Sequence, residues 1–118
     1  MLIERPPMTV RKRPPRPRPV RTPNGLLIVS VVRQASDTQL KITFAAPVAW
    51  NGTDVPSAFM AYTNDGFMDG CIGVNDTGAD WIIVEFNAGV DPGVPWELNA
   101  AMAGITPGVA FPQNGTVS

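Results

Sequence analysis

The sequence predicts an all-β protein, an antiparallel β-sandwich of about six or seven short strands that follows an extended N-terminal arm. Three observations carry this prediction. Runs of β-branched and aromatic residues recur after residue 24, turn signals separate them roughly every 8–12 residues, and no stretch has long helical periodicity. A chain of 118 residues suits one domain with a single modest core. A small β-barrel is the alternative architecture.

The first 23 residues are predicted to form the arm, and residues 24–118 the sandwich domain. Prolines stand at positions 6, 7, 14, 15, 17, 19 and 23. Each proline fixes φ near the polyproline II value and lacks a backbone donor, so this segment suits neither a helix nor a central strand. Residues 5–23 would reach about 60 Å at about 3.1 Å per residue, which is longer than the expected width of the domain.

The first two predicted strands form an antiparallel hairpin with a short polar loop. Residues 26–32 are rich in β-branched side chains, and we expect them to be buried on much of both faces. Residues 39–45 alternate instead, which places Leu40, Ile42 and Phe44 on a buried face. Lys41 then falls on the opposite face of that strand.

Three more strands are predicted over residues 57–63, 67–74 and 81–86, with a loop over 75–80. Within the second of these, two glycines indicate a bulge or a close backbone approach. They are Gly70 and Gly73.

The last part of the domain is less regular. Residues 96–102 fit a short helix or a sixth strand about equally, because Pro95 precedes them and strands surround them. Residues 105–111 are predicted to end the fold. Trp50, beside Val48, is expected to close one end of the core.

Charge divides the chain sharply, although the formal net charge is only −1. Residues 1–23 contain seven cations and one acid, 7 − 1 = +6, whereas residues 24–118 contain two cations and nine acids, 2 − 9 = −7. The arm is therefore expected to seek an acidic surface or a nucleic acid, and the domain to repel nucleic acid. A basic tail that serves only solubility is the alternative. Copies of the chain would also attract one another.

The predicted partner-binding residues all lie in the arm. Apolar side chains would enter pockets and basic ones would meet carboxylates or backbone carbonyls of other protein chains. They are Leu2, Ile3, Arg5, Met8, Val10, Arg11, Lys12, Arg13, Arg16, Arg18 and Arg21. The same cations could instead contact nucleic-acid phosphates, and such binding would depend strongly on salt because the arm has no aromatic residue to stack on bases.

One short motif resembles a known family. Residues 40–48, LKITFAAPV, followed by 50–53, WNGT, are similar to the second strand of bacterial immunoglobulin-like modules. The resemblance implies an immunoglobulin-like sandwich with a structural or adhesive role, because such modules occur in bacterial surface proteins and in bacteriophage virion proteins. The chain lacks the cysteine pair and central tryptophan spacing of antibody domains.

In its organisation, a small module with a basic extended arm, the chain resembles capsid decoration (cement) and minor capsid proteins of tailed phages. This resemblance implies a non-enzymatic virion protein that is made in the host cytoplasm and docks on the major capsid or another virion protein. A nucleic-acid-associated factor and a bacterial adhesive or interaction module are the alternatives.

The residues offer no catalytic constellation. The chain has no histidine and a single cysteine, Cys71, which is expected to pack as a small apolar residue. Aspartates 65, 69, 76 and 80 could meet at one end of a sandwich around calcium, although ordinary turn aspartates explain them better. No cofactor or metal is expected. No membrane partner is expected either, since no apolar run reaches signal-peptide or membrane-span length.

Overall fold

The computed structural model describes residues 25–118, which form two four-stranded antiparallel sheets around one core. The strands are β1 (Ile28–Arg33), β2 (Gln39–Phe44), β3 (Ala49–Trp50), β4 (Phe59–Tyr62), β5 (Met68–Gly70), β6 (Gly73–Thr77), β7 (Trp81–Glu85), β8 (Pro95–Leu98), β9 (Ile105–Thr106) and β10 (Gln113–Thr116). The first sheet has the order β1-β2-β7-β6 and the second β10-β8-β4-β5, while β3 and β9 form a small pair. The predicted all-β sandwich is confirmed. It has ten strands instead of the predicted six or seven, and three of them, β3, β5 and β9, are only two or three residues long.

The two central strands of the first sheet behave as their alternation predicts. Leu40 and Ile42 of β2 are fully buried, and they lie opposite Val84 and Ile82 of β7. Both strands are hydrogen-bonded on each side, so their inner side chains form the floor of the core.

The prediction that the first strand is buried on both faces is wrong. Only Val31 of β1 is buried, whereas Leu27 is 43% and Val29 64% exposed. β1 lies at the edge of its sheet, and its register shifts between Ile28 and Ser30. A run of β-branched residues therefore shows a strand, but it does not show how many faces that strand buries.

The free edge of β1 is covered by the end of the chain. Ser118 exchanges two backbone hydrogen bonds of 2.9 Å with β1, donating to Val31 and accepting from Arg33. At the other end of the strand, the Leu26 amide donates to the Gly108 carbonyl at 2.9 Å. These covering residues, Gly108 before β10 and Ser118 after it, connect the second sheet to β1 along this side and satisfy backbone groups that an edge strand would otherwise leave unpaired.

The prediction of one strand over residues 67–74 is also wrong, because the chain changes sheet in the middle of that stretch. β5 pairs with β4 in the second sheet, and β6 pairs with β7 in the first. The crossing is hydrogen-bonded to both sheets: Cys71 donates to the Phe59 carbonyl at 3.1 Å, and Ile72 donates to the Glu85 carbonyl at 2.7 Å. Residues 75–77, predicted as loop, belong to β6.

The crossing depends on one glycine. A Cβ atom at Gly70 would lie 2.3 Å from the Ser57 carbonyl oxygen, so the close approach predicted there is confirmed. A Cβ at Gly73 would meet no atom within 4 Å. The chain can therefore pass this close to the Ser57 backbone only where a side chain is absent.

Aromatic rings fill the centre of the second sheet's inner face. Phe59 of β4 stacks on Trp96 of β8 with ring centroids 5.4 Å apart, and it meets Phe86 edge to face at 6.3 Å.

The segment 96–102, which fitted a helix or a strand, is a strand over its first part. β8 begins at Pro95, and a missing amide is tolerated at the first position of a strand. Trp50 is half-buried against the core, as predicted.

Within residues 25–118 no helix has the length and hydrophobicity needed to cross a membrane.

Replacing Phe59 with alanine should lower the free energy of unfolding by about 3–5 kcal/mol, because the ring is fully buried between two aromatic neighbours. The matched control is Phe67→Ala, whose side chain is 68% exposed and whose loss should cost within about 0.5 kcal/mol. Urea unfolding followed by tryptophan fluorescence measures both. Equal losses for the two variants would contradict the position of the core.

Replacing Gly70 with alanine should cost about 1–3 kcal/mol, since its Cβ would overlap a backbone oxygen that cannot rotate away. Gly73→Ala, three residues on, should change stability by less than about 1 kcal/mol. A thermal melt of each variant by circular dichroism tests the difference. A Gly70→Ala protein as stable as the parent would contradict the close approach of Gly70 to the Ser57 backbone.

Candidate docking surfaces

The eleven arm residues predicted to bind a partner lie between positions 2 and 21, outside the part of the chain that the structure describes. They stay predictions. The structure does describe the joint, Gly25 and Leu26 at the start of the described domain, and the surfaces around that joint.

The joint is held rigidly at Gly25 and Leu26. Gly25 has a φ of +122°, and a Cβ there would lie 2.8 Å from the Gly108 oxygen and 2.9 Å from the Ala110 nitrogen. Leu26 forms an isolated parallel bridge with Val109. Only glycine satisfies both the backbone conformation and the contact, so the backbone at Gly25 is fixed against residues 108–110.

An open apolar groove of about 680 Å³ lies at this joint. Its buried wall consists of Leu26, Met102, Ile105 and Val109. Its exposed rim is formed by Gly25, Ala101, Pro107, Gly108 and Phe111. Phe111 is 48% exposed, and it adjoins the other apolar residues of the groove instead of standing alone on the surface.

The groove has an acidic neighbour. Gly104 precedes Ile105 of the groove wall, and a Cβ at Gly104 would lie 3.1 Å from the Cβ of Asp54. Asp54 is exposed and belongs to a tight turn in which its carboxylate accepts from Asn51 Nδ2 at 2.8 Å. Its backbone oxygen accepts from the indole of Trp50 at 2.7 Å, which fixes the turn against β3.

The opposite end of the sandwich gathers three loops. The Asn64 amide donates to the Gly89 carbonyl at 2.8 Å, and the Val90 amide donates to the Asp37 carbonyl at 2.7 Å. These bonds bring the β1–β2, β4–β5 and β7–β8 connections together. Asp65 stands in the second of them.

At this end two carboxylates share one buried hydroxyl. Thr63 Oγ1 lies 2.5 Å from Asp65 Oδ1 and 2.9 Å from Asp69 Oδ2, and the Phe67 amide also donates to Asp65. The hydrogen bond from Thr63 lowers the pKa of Asp65. The pKa of Asp69 is raised, first through its hydrogen bond with Asp65, with smaller contributions from desolvation and from repulsion by that charge, against the hydrogen bond from Thr63, which lowers it. Thr63 has one hydroxyl proton, so it can donate a hydrogen bond to only one of the two carboxylates at a time.

The four aspartates considered for calcium do not come together. Asp65 and Asp69 are neighbours, but Asp76 pairs with Ile83 on the first sheet. The Asp80 carbonyl accepts from the Phe44 amide, at the end of β2 that lies away from Asp65. Within residues 25–118 no three potential metal-ligating side chains form a cluster.

A polar network covers the outer face of the first sheet. Glu85 accepts hydrogen bonds from Thr38 Oγ1, from Gln39 Nε2 at 3.1 Å and from Asn75 Nδ2 at 2.5 Å. These donors, Thr38 first, lower the pKa of Glu85 because they stabilise its charged form. Lys41 also lies on this face, as predicted, with its Nζ 4.7 Å from the centre of the Trp81 ring.

Cys71 is an apolar core residue, as predicted. It is 2% exposed, and its Sγ lies 3.1 Å from the Pro56 carbonyl oxygen as a donor. Burial raises the pKa of the thiol to about 12. A thiol that stays protonated at neutral pH is a poor nucleophile.

Comparison with known proteins adds a likeness of fold. No protein-family model matches the chain, and no curated protein matches its sequence. The chain is similar to the crystal structure of the N-terminal part of the bacterial S-layer protein SbsC, with a TM-score of 0.52 and 18% identity. The match covers 79% of this chain and 23% of that one, so the chain spans about a quarter of that structure's length. At this identity the likeness shows the fold alone.

Replacing Thr38 with valine should raise the pKa of Glu85 toward its ordinary value of about 4.3, because the leading donor to the carboxylate is lost. Thr38→Ser keeps the hydroxyl and should keep the pKa low. An NMR titration of the Glu85 carboxyl carbon measures the shift.

The same pair of variants tests the effect on stability. Since Glu85 has a lowered pKa in the folded protein, its contribution is complete above about pH 4.3 and is lost as pH falls through the folded-state pKa. The stability difference between Thr38→Ser and Thr38→Val should therefore shrink as the pH falls below about 4.3. A constant difference would mean that the hydroxyl does not act through the Glu85 charge.

Proposed function

We propose that the protein is a non-enzymatic structural component that docks onto a larger assembly through its basic arm and displays its β-sandwich. The assembly is a virion, where the chain acts as a capsid decoration (cement) or minor capsid protein. The observation that carries the proposal is the division of charge, +6 in residues 1–23 and −7 in residues 24–118.

The domain cannot neutralise its own acids. Residues 24–118 have nine carboxylates and only Arg33 and Lys41 as cations, so at least 9 − 2 = 7 carboxylates have no cation to pair with one to one. A cationic arm attached to such a domain supports association with acidic protein surfaces, including those of further copies.

The fold supports a structural role for the domain. The domain is a sandwich of short strands around one core. Backbone contacts fix Gly25 and Leu26 at its start, next to the proposed arm. The similar structure belongs to a bacterial S-layer protein, which is itself a surface protein. The resemblance of the arm-and-module organisation to phage decoration proteins supports the virion.

A nucleic-acid-associated factor is the second candidate, and the seven cations of the arm favour it. In that case the arm binds phosphates and the acidic domain faces away from the nucleic acid. Salt separates the two functions. Binding through about seven phosphates would fall steeply with ionic strength, whereas a protein-docked arm with apolar anchors such as Met8 and Val10 resists salt better.

Deleting residues 1–23 should leave a folded domain that no longer joins the assembly, because the core lies within residues 25–118. Tagged full-length and shortened chains are expressed in the phage-producing host, and purified virions are probed for each tag. Circular dichroism of the shortened chain checks its fold. Full occupancy without the arm would contradict docking through the arm, and recovery of the full chain only in the cell-surface fraction would favour an adhesive module.

A further inference from the structure

We propose that the groove beside Gly25 receives residues 8–10 of a second copy, and that two copies exchange arms reciprocally to form a symmetric dimer. The inference deepens the proposed function, on which it rests for the docking role of the arm, by naming the first partner of the arm as another copy of this chain.

The groove has the chemistry for a short apolar segment. Its volume of about 680 Å³ is within the range of about 300–1,000 Å³ that binding sites occupy. Met102, Ile105 and Val109 supply an apolar wall, and Phe111 stands 48% exposed at the rim. The wall accepts apolar side chains, and an aromatic rim residue gains most when it is covered.

The arm contains a segment that matches. Met8 and Val10 are apolar and flank a single threonine, and a basic run begins at Arg11. If Met8 and Val10 enter the groove, the cations that follow lie over a domain of net charge 2 − 9 = −7, with Asp54 close to the groove wall. Apolar insertion and charge attraction then act together.

A second copy fits better than the arm's own domain. Residues 11–24 separate Val10 from Gly25, and four of them, at 14, 15, 17 and 19, are prolines in close succession. Such a segment favours an extended form of about 43 Å, at about 3.1 Å per residue. Returning to a groove that touches Gly25 itself would require it to reverse direction, whereas a neighbouring molecule needs no reversal.

The position of the groove also sets the symmetry. Because Gly25 lines the groove, each molecule donates its arm from the same place where it accepts one. Two copies can therefore exchange arms around a two-fold axis, which closes the assembly as a dimer. The two contacts support each other, since the first raises the effective concentration for the second.

The test uses full-length chains. Ala101→Arg places a cation on the groove rim, and the double variant Met8→Asp, Val10→Asp removes the apolar pair. Ala35→Arg, in the β1–β2 turn at the other end of the sandwich, is the matched control for added charge. Sedimentation velocity, at concentrations up to about 1 mM because small interfaces bind weakly, should show a dimer for the parent and the control and a monomer for the other two.

Mixing the two defective chains then shows whether the arm and the groove are partners. The groove variant keeps an intact arm and the arm variant keeps an open groove, so one contact of the pair can re-form. With ¹³C-methyl methionine in the arm variant, the Met102 resonance should shift on addition of unlabelled groove variant, while Met68 on the outer face of the second sheet should not. The single contact should be at least about 100-fold weaker than the parent dimer.

A parent that stays monomeric would overturn the exchange. So would a mixture in which Met102 does not respond at a concentration more than about 100 times the dissociation constant of the parent dimer. A Met102 resonance that differs between the parent and the arm variant in dilute monomer would show instead that the arm covers its own groove. None of these results touches the docking of the arm on virions, which the deletion experiment decides separately.

Discussion

The two sheets are held together around Phe59, and the rest of the domain depends on that contact. Its ring stacks on Trp96 within the second sheet and reaches across to Phe86, which follows the last residue of β7 in the first. Large rings bury the most apolar area per residue, so a domain of fewer than 95 residues gains much of its stability from these aromatic contacts. Leu40 and Ile42 of the first sheet complete the same layer.

A sandwich of short strands must also protect its edges, and this chain does so with its own connections. Ser118 covers one end of β1 and residues 108–110 cover the other, while the crossing at Cys71 and Ile72 bonds to both sheets. Edge groups that find partners within the molecule are unavailable for pairing with other chains. Gly108 and Val109, which belong to the segment 108–110, also line the groove, so the cover of this edge also shapes the surface beside Gly25.

The acids of the domain are spread over both of its ends. Asp54 lies beside the groove wall, whereas Asp65 and Asp69 lie at the other end of the sandwich, where three loops meet. A broad acidic surface of this kind steers a cationic partner more than it fixes a single contact. In the proposed dimer, specific docking would therefore depend on shape and apolar contact, which the groove offers.

The sequence by itself determined the all-β class and the faces of β2, because a period of two fixes which side chains share a face. It also predicted that Cys71 packs as a small apolar residue, since a lone cysteine in a chain without histidine has no disulfide or usual catalytic partner. It could not show that residues 67–74 divide between two sheets, since both halves look like strand and the change depends on the space beside Gly70. Nor could it show that β1 is an edge. The sequence could not show the groove either, because its lining comes from residues 25–26 and 101–111, which meet only after the sheets have packed. Local pattern decides conformation, and only tertiary packing decides which distant surfaces become neighbours.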